Sequence, residues 1–131
     1  MNVVLPLFVC GSMLNGGPDA HWLAGRRRQP AKARGRLFLL PGGYPTFRAT
    51  APDAPDEGWV EGELVGPSIP EELLRILDTV EGTHTTATRR VRLDVVASLR
   101  VVPAWAYIQD NPQASGGVRC RSNRWRGAVN R

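Results

Sequence analysis

"LDTVEGTHTTATRRVRLDV", residues 77–95, places a carboxylate, Glu81, where an apolar helix gives out and an apolar strand begins. Upstream, Leu73, Leu74, Ile76, Leu77 and Val80 fall at helical spacing and make one core-facing stripe. They predict a helix from Ser68 to about Val80, with Ser68 and Glu71 as a capping box and Pro70 tolerated in the first turn. Downstream, "TRRVRLDVV" has the β-branched content of a strand. Gly82 suits a helix stop, because glycine readily takes the left-handed conformation that closes a helix, and it also lets a ligand come close to the backbone. Glu81 is therefore either a solvated helix end or a side chain aimed into a site. The rest of the chain decides between the two.

Working outward, "VVLPLFVC" is a continuous apolar run followed by "GS", as expected of a buried strand that ends in a tight turn. Pro6 within it argues for an edge position or a bulge. "NGGPDAHWLAG" predicts a loop and a short helix with Asp19 as N-cap and Gly25 as stop, and "RRRQPAK" reads as a solvated turn. "ARGRLFLL" and "YPTFRAT" are two strands joined through "PGG". "WVEGELVG" alternates, with Trp59, Glu61 and Glu63 on one face and Val60, Gly62 and Leu64 on the other. After "RVVPAWAYIQ", another strand in which Trp105 is the best core candidate, "DNPQASGG" ends the regular structure. The reading is an α+β fold with a mixed, barrel-like sheet of about six strands and two or more helices. Residues 1–118 form the domain and 119–131 a basic C-terminal segment.

The composition agrees with a single globular unit. The chain has 131 residues, 42% apolar and 22% charged, and one core commonly serves about 100–150 residues. Its net charge of +5 comes almost wholly from arginine, since Lys32 is the only lysine. Arginine's fork of donors suits carboxylates and phosphates, so anionic partners from nucleic acid to a small acid are compatible with it. Cys10 and Cys120 are too few and too far apart for a disulfide framework or a metal knuckle. No segment approaches the ~20 apolar residues of a membrane span. A cytoplasmic protein without metal is the expectation.

Taken in order, the apolar strand into "CGSML", "GRLFLLPGGYPTF", "WVEGELV", "LDTVEG", "TRRV" and "AWAYI" resemble the gamma-glutamylcyclotransferase-like family. In that family a strand runs into a "YGSL" or "YGTL" loop, and "GxLYxLxxYP", "VxGELY" and "LDxxEG" pieces follow. The resemblance spans residues 3 to about 108. It implies the gamma-glutamylcyclotransferase-like barrel and an enzyme, needing no cofactor, that cyclises a gamma-glutamyl amide (a gamma-glutamylamine or a relative) to 5-oxoproline and releases the amine. By position it makes Glu81 the catalytic acid/base. Cys10, Gly11, Ser12, Met13 and Leu14, with Tyr44 from the "YP" match, become the wall that binds substrate.

The chemistry suits such an assignment. The substrate brings its own nucleophile, and closing a five-membered ring from a well-oriented conformer can supply roughly 7–11 kcal/mol of the barrier. What remains is proton transfer, which one half-buried carboxylate can perform. Gly11 and Ser12 at a strand end can offer N–H groups to a carboxylate or an oxyanion. Two family tyrosines are missing, one replaced by Cys10 and one near Thr88, so the leaving amine is not readable. "SNRW" (122–125) matches a late "GDW" element only loosely.

Other chemistries rank lower. A Cys10 nucleophile would need His21 or His84 beside it in space. Two His and two Cys give no zinc spacing, and "GSMLNGGPDAH" lacks the GK[ST] of a phosphate loop. The rival from another class is a non-catalytic module on the same fold that binds a small molecule, a protein or, less favoured, nucleic acid through its dispersed arginines.

Overall fold

The computed structural model describes residues 4–50, 58–82 and 87–126. Strand β1 (Leu7–Val9) is buried on both faces, which explains its unbroken apolar sequence. Phe8 points into one core cluster, while Leu7 and Val9 belong to another. β2 (Arg27–Leu40) is long enough to serve two sets of neighbours: residues 27–34 pair with β4 (Trp59–Gly66), and residues 35–40 with β3 (Tyr44–Ala49). Helix α1 (Glu71–Glu81) precedes the hairpin of β5 (Arg89–Ala97) and β6 (Arg100–Ile108). A two-residue strand, β7 (Val118–Arg119), adds to the far half of β2.

The order β2-β4-β1-β6-β5 closes through the pairing of Lys32 with Val96. Closure makes a five-stranded mixed barrel, in which β1 and β6 run parallel and the other neighbours antiparallel. So few strands leave a narrow interior. It is filled by small residues (Ala31, Ala33, Ala97, Ala104, Ala106) around two rings, Phe8 and Phe47, in edge-on contact at 5.9 Å. The second cluster lies where Leu74 and Leu77 of α1 meet Leu7, Val9 and Val65 on the strands and Met13 in the loop after β1.

Several expectations are corrected. "RRRQPAK" is the first half of β2 and not a solvated turn. Its alternation hides Ala31 inside and turns Lys32 outward, a two-residue period masked by the run of charges. Pro6 does not mark an edge: β1 lies between β4 and β6, and Pro6 precedes the strand, where its carbonyl accepts the Trp105 N–H at 2.9 Å. Trp105 is only partly buried, because its neighbours Ala104 and Ala106 take the inward positions on β6. The helix begins at Glu71 with extended Pro70 as its N-cap and no side-chain cap bond, so the capping box is not formed. The short helix after Asp19 is a 3-10 turn, Ala20–Leu23, also without a side-chain cap. Trp59 and Glu61 do face outward while Val60 and Leu64 are buried.

Of the basic segment set apart from residue 119, the described residues 119–126 lie against the barrel. The Cys120 N–H donates to Leu37 O at 2.9 Å, the Glu61 N–H to Asn123 O at 2.9 Å, and Trp125 packs on the barrel cluster.

Candidate active site

α1 carries Glu81, and the helix is clamped one turn earlier. Asp78 Oδ1 accepts the Tyr107 hydroxyl at 2.7 Å and Arg90 Nε at 2.8 Å, while Oδ2 accepts Arg90 Nη2 at 3.3 Å. Arg90 in turn lies over the Trp105 ring, 4.5 Å from its centroid. Helix and hairpin are thus joined by charge-assisted bonds largely withdrawn from water. Burial, the bond to Asp78 and its negative charge push the Tyr107 hydroxyl far above the usual phenol range. It therefore stays protonated and donates to Asp78.

Residues 78 and 81 are three apart, so they share one side of the helix. Gly82 ends it at φ 79° and ψ 31°, with its N–H directed to Asp78 O and Thr79 O. The helix-cap reading of "EG" is therefore correct, and it is compatible with a functional one. Glu81 lines a cavity of about 680 Å³, together with Cys10, Gly11, Ser12, Met13, Tyr44 and residues from β3 and β6. That volume is in the range of small-molecule sites. Burial, with the charge of nearby Asp19 adding to it, raises the Glu81 pKa from 4.5 to about 7. Among the described residues no hydrogen bond or ion pair reaches this carboxylate. Its place in the last turn of α1, at the negative end of the helix dipole, does nothing to favour the anion.

The loop after β1 is held by its own backbone. The Leu14 N–H donates to Gly11 O at 3.0 Å, and Ser12 O accepts the Asp19 N–H at 2.9 Å. A Cβ at Gly11 would stand 2.9 Å from Pro45 Cγ, so the "CGS" loop and the "YP" strand meet only because this residue is glycine. A model of the gamma-glutamyl cyclotransferase, AIG2-like family matches residues 7–127. The chain belongs to this family. Solved structures with the same fold include YkqA from Bacillus subtilis, at TM-score 0.67 and 20% identity, covering 94% of this chain and 40% of that one. Another is an uncharacterized protein from Pyrococcus horikoshii, at TM-score 0.65 and 16% identity, covering 92% and 88%. A third is an AIG2-like protein from Mus musculus, at TM-score 0.63 and 19% identity, covering 82% and 78%. The chain therefore spans less than half the length of the Bacillus subtilis protein. No curated protein matches it.

Within this gamma-glutamyl cyclotransferase-like barrel, Cys10, Gly11, Ser12, Met13 and Tyr44 line the cavity with Glu81, and Leu14 does not. Tyr44 lines the cavity while remaining 67% exposed, as a rim residue does. Leu14 instead lines a neighbouring hollow of about 520 Å³ with Asn15, Glu61 and Glu63. Burial, helped by the charge of Glu81, pushes the Cys10 thiol well above its usual range, which keeps it neutral and unsuited to nucleophilic attack. His21 is exposed against Trp22 and does not line the cavity, and His84 lies outside the described residues. Among the described residues no cluster of three or more His, Cys, Asp or Glu could hold a metal ion, and no helix is long and apolar enough to cross a membrane.

Sequence reasoning missed Asp19, Asp78, Tyr107 and Gln109. Asp78 had a visible signal, being the acidic partner one turn before Glu81 within "LDTVEG". Asp19 was expected as a helix cap, yet it makes no side-chain cap bond and lines the cavity.

Proposed function

We propose that the chain is a cyclotransferase that converts a gamma-glutamyl amide to 5-oxoproline and a free amine, with Glu81 as its single acid/base. The observation that carries this reading is a carboxylate with pKa about 7 in a cavity shared with the loop after β1. A group poised near neutral pH can both accept and return a proton without a large penalty in either direction.

The proton count needs such a group. The substrate's α-nitrogen begins as an ammonium with three hydrogens and ends as a lactam N–H with one. The departing nitrogen begins with one hydrogen and ends as an ammonium with three. Glu81 takes a proton from the α-ammonium, the freed lone pair attacks the γ-carbonyl carbon, and a tetrahedral oxyanion forms. A second proton leaves the ring nitrogen as the bond to the departing nitrogen breaks, and one carboxylate can carry the protons in turn. N–H groups of the Gly11–Met13 loop are the candidates to meet the oxyanion. Burial of the carboxylate keeps competing water away from the exchange.

The test is a panel of gamma-glutamyl amines and dipeptides assayed for 5-oxoproline, with Glu81→Gln as control. Turnover of at least one of them by the native chain, lost in the variant, supports the reading. Absence of turnover on every substrate, or an undiminished variant, overturns it and moves weight to a non-catalytic binding module on this barrel.

A further inference from the structure

β6 ends at Ile108, and the next residue breaks the pattern of its neighbours. Gln109 is the one buried polar side chain among the described residues, with 6% of its surface exposed. Its backbone N–H donates to Phe47 O at 2.9 Å, fixing the main chain against β3. The side-chain Nε2 donates to Thr88 Oγ1 at 3.3 Å. Oε1 is buried and has no partner. Both Gln109 and Thr88 line the cavity that contains Glu81.

A buried carbonyl without a donor costs about 1–3 kcal/mol, so it persists where something else supplies the donor. Thr88, the residue just before β5, already occupies the other end of the amide, and both residues line the cavity, so the donor comes from there once the terminal amide turns Oε1 toward it. An amide oxygen accepts and carries no charge, so it repels a carboxylate weakly, cannot bind a carbonyl, and selects an N–H. A gamma-glutamyl amide offers two kinds, the α-nitrogen and the scissile amide. The α-nitrogen keeps an N–H from the amine through to the lactam, whereas the scissile nitrogen must be free to turn and leave. A fixed acceptor is compatible with the first throughout the reaction.

We propose that Gln109 Oε1, oriented by Thr88, accepts a hydrogen bond from the substrate's α-nitrogen and thereby selects gamma-glutamyl compounds with a free primary α-amine. The proposal rests on the cyclotransferase reading for the identity of that nitrogen. Its consequence for binding can be read without turnover, because the same nitrogen survives as the lactam N–H of 5-oxoproline.

The experiment is a binding titration, by protein NMR, of 5-oxoproline and of the corresponding lactone acid, in which the ring N–H is replaced by oxygen. The native chain should bind the lactam roughly 10- to 100-fold more tightly than the lactone, the range expected when a buried acceptor is left unpaired. Gln109→Leu, of similar size, should lose that preference by weakening the lactam alone, and Thr88→Val should reduce it by a smaller factor. Chemical shifts of distant core residues and an unchanged melting temperature control for folding, and Gln109→Met provides a second apolar variant if the first is unstable. A native chain that does not distinguish lactam from lactone overturns the proposal, as does a variant that weakens both equally, which would place the side chain on the carboxylate. Turnover on gamma-glutamyl amides with no lactam preference would defeat this inference while leaving the cyclotransferase reading intact. A Gln109→Leu defect seen with gamma-glutamyl amides but not with gamma-glutamyl esters would assign the bond to the scissile N–H and overturn it too.

Discussion

Two glutamates lie in neighbouring hollows of this barrel, which share Trp125 as a wall, and they have opposite surroundings. Glu63, on β4, accepts Arg28 Nη1 at 2.7 Å and the Asn15 N–H at 2.8 Å through one oxygen. Its side chain and that of Arg28 are 25% and 16% exposed. Glu81 is also withdrawn from water, but it has the negative charge of Asp19 nearby and no cation bonded to it among the described residues. The comparison teaches that burial alone does not make a proton carrier. A half-buried carboxylate given an arginine becomes a fixed strut, whereas one denied a partner is left close to neutrality in its affinity for a proton.

The largest effect that would break the comparison is on turnover. Glu81→Gln should lower kcat by a factor of about 10² to 10⁴, the usual range for losing a general acid/base, and Glu63→Gln should leave kcat of the folded protein within a few-fold of native. Equal losses in both variants would erase the distinction.

The stability of the same pair should move the other way. A carboxyl whose folded pKa is about 7, against 4.5 as the ordinary value, binds more protons in the folded state between those pH values. Its contribution to stability is present below about pH 4.5 and lost as pH rises through about 7. Glu81→Gln should therefore be more stable than the native chain at pH 8, by up to about 3 kcal/mol, and no more stable at pH 4. Denaturant unfolding at the two pH values reads this directly. Glu63→Gln should instead cost about 2–3 kcal/mol, since it leaves Arg28 half-buried without its anion.

A similar loss, about 2–4 kcal/mol, is expected of Asp78→Asn, which strips Arg90 of its anion beneath α1. It should also lower kcat, because the helix turn that aims Glu81 is held there. Unfolding curves and kinetics on one preparation separate the two effects. Stability lost with kcat intact would mean that the clamp does not position Glu81.

The smallest effect concerns a hairpin turn. The β5–β6 hairpin turns through Ser98 and Leu99 at φ 51° and 64°, and Leu99 is 99% exposed. Leu99→Gly should stabilise the fold by about 0.4–1 kcal/mol, since glycine takes this turn conformation without strain, and it should not change turnover.

How much of this was legible beforehand varied with how local each cause was. The stripe of α1 and the alternation of β4 are local patterns, and both appear largely as read, apart from the later helix start and Ile76, which the stripe placed in the core and which is exposed. β2 was cut short because charged residues hid its two-residue period, and the inward alanines are too small to stand out. Glu81 could be picked out by the order of motifs around it. That burial would raise its pKa was an expectation, but the added charge of Asp19, about sixty residues earlier in the chain, was not visible before the fold brought the two together. The Asp78–Arg90–Tyr107 clamp and the unpaired oxygen of Gln109 likewise exist only once β5 and β6 have closed against helix and barrel.

The most direct test of Glu81 as proton carrier is a carbon-detected NMR titration of its side-chain carboxyl, run beside the pH profile of kcat/KM for a substrate that turns over. The account predicts a midpoint near 7 for the carboxyl and a rise in kcat/KM through the same pH. A carboxyl that titrates near 4.5, the ordinary value for glutamate, with kcat/KM flat across neutrality, would contradict it.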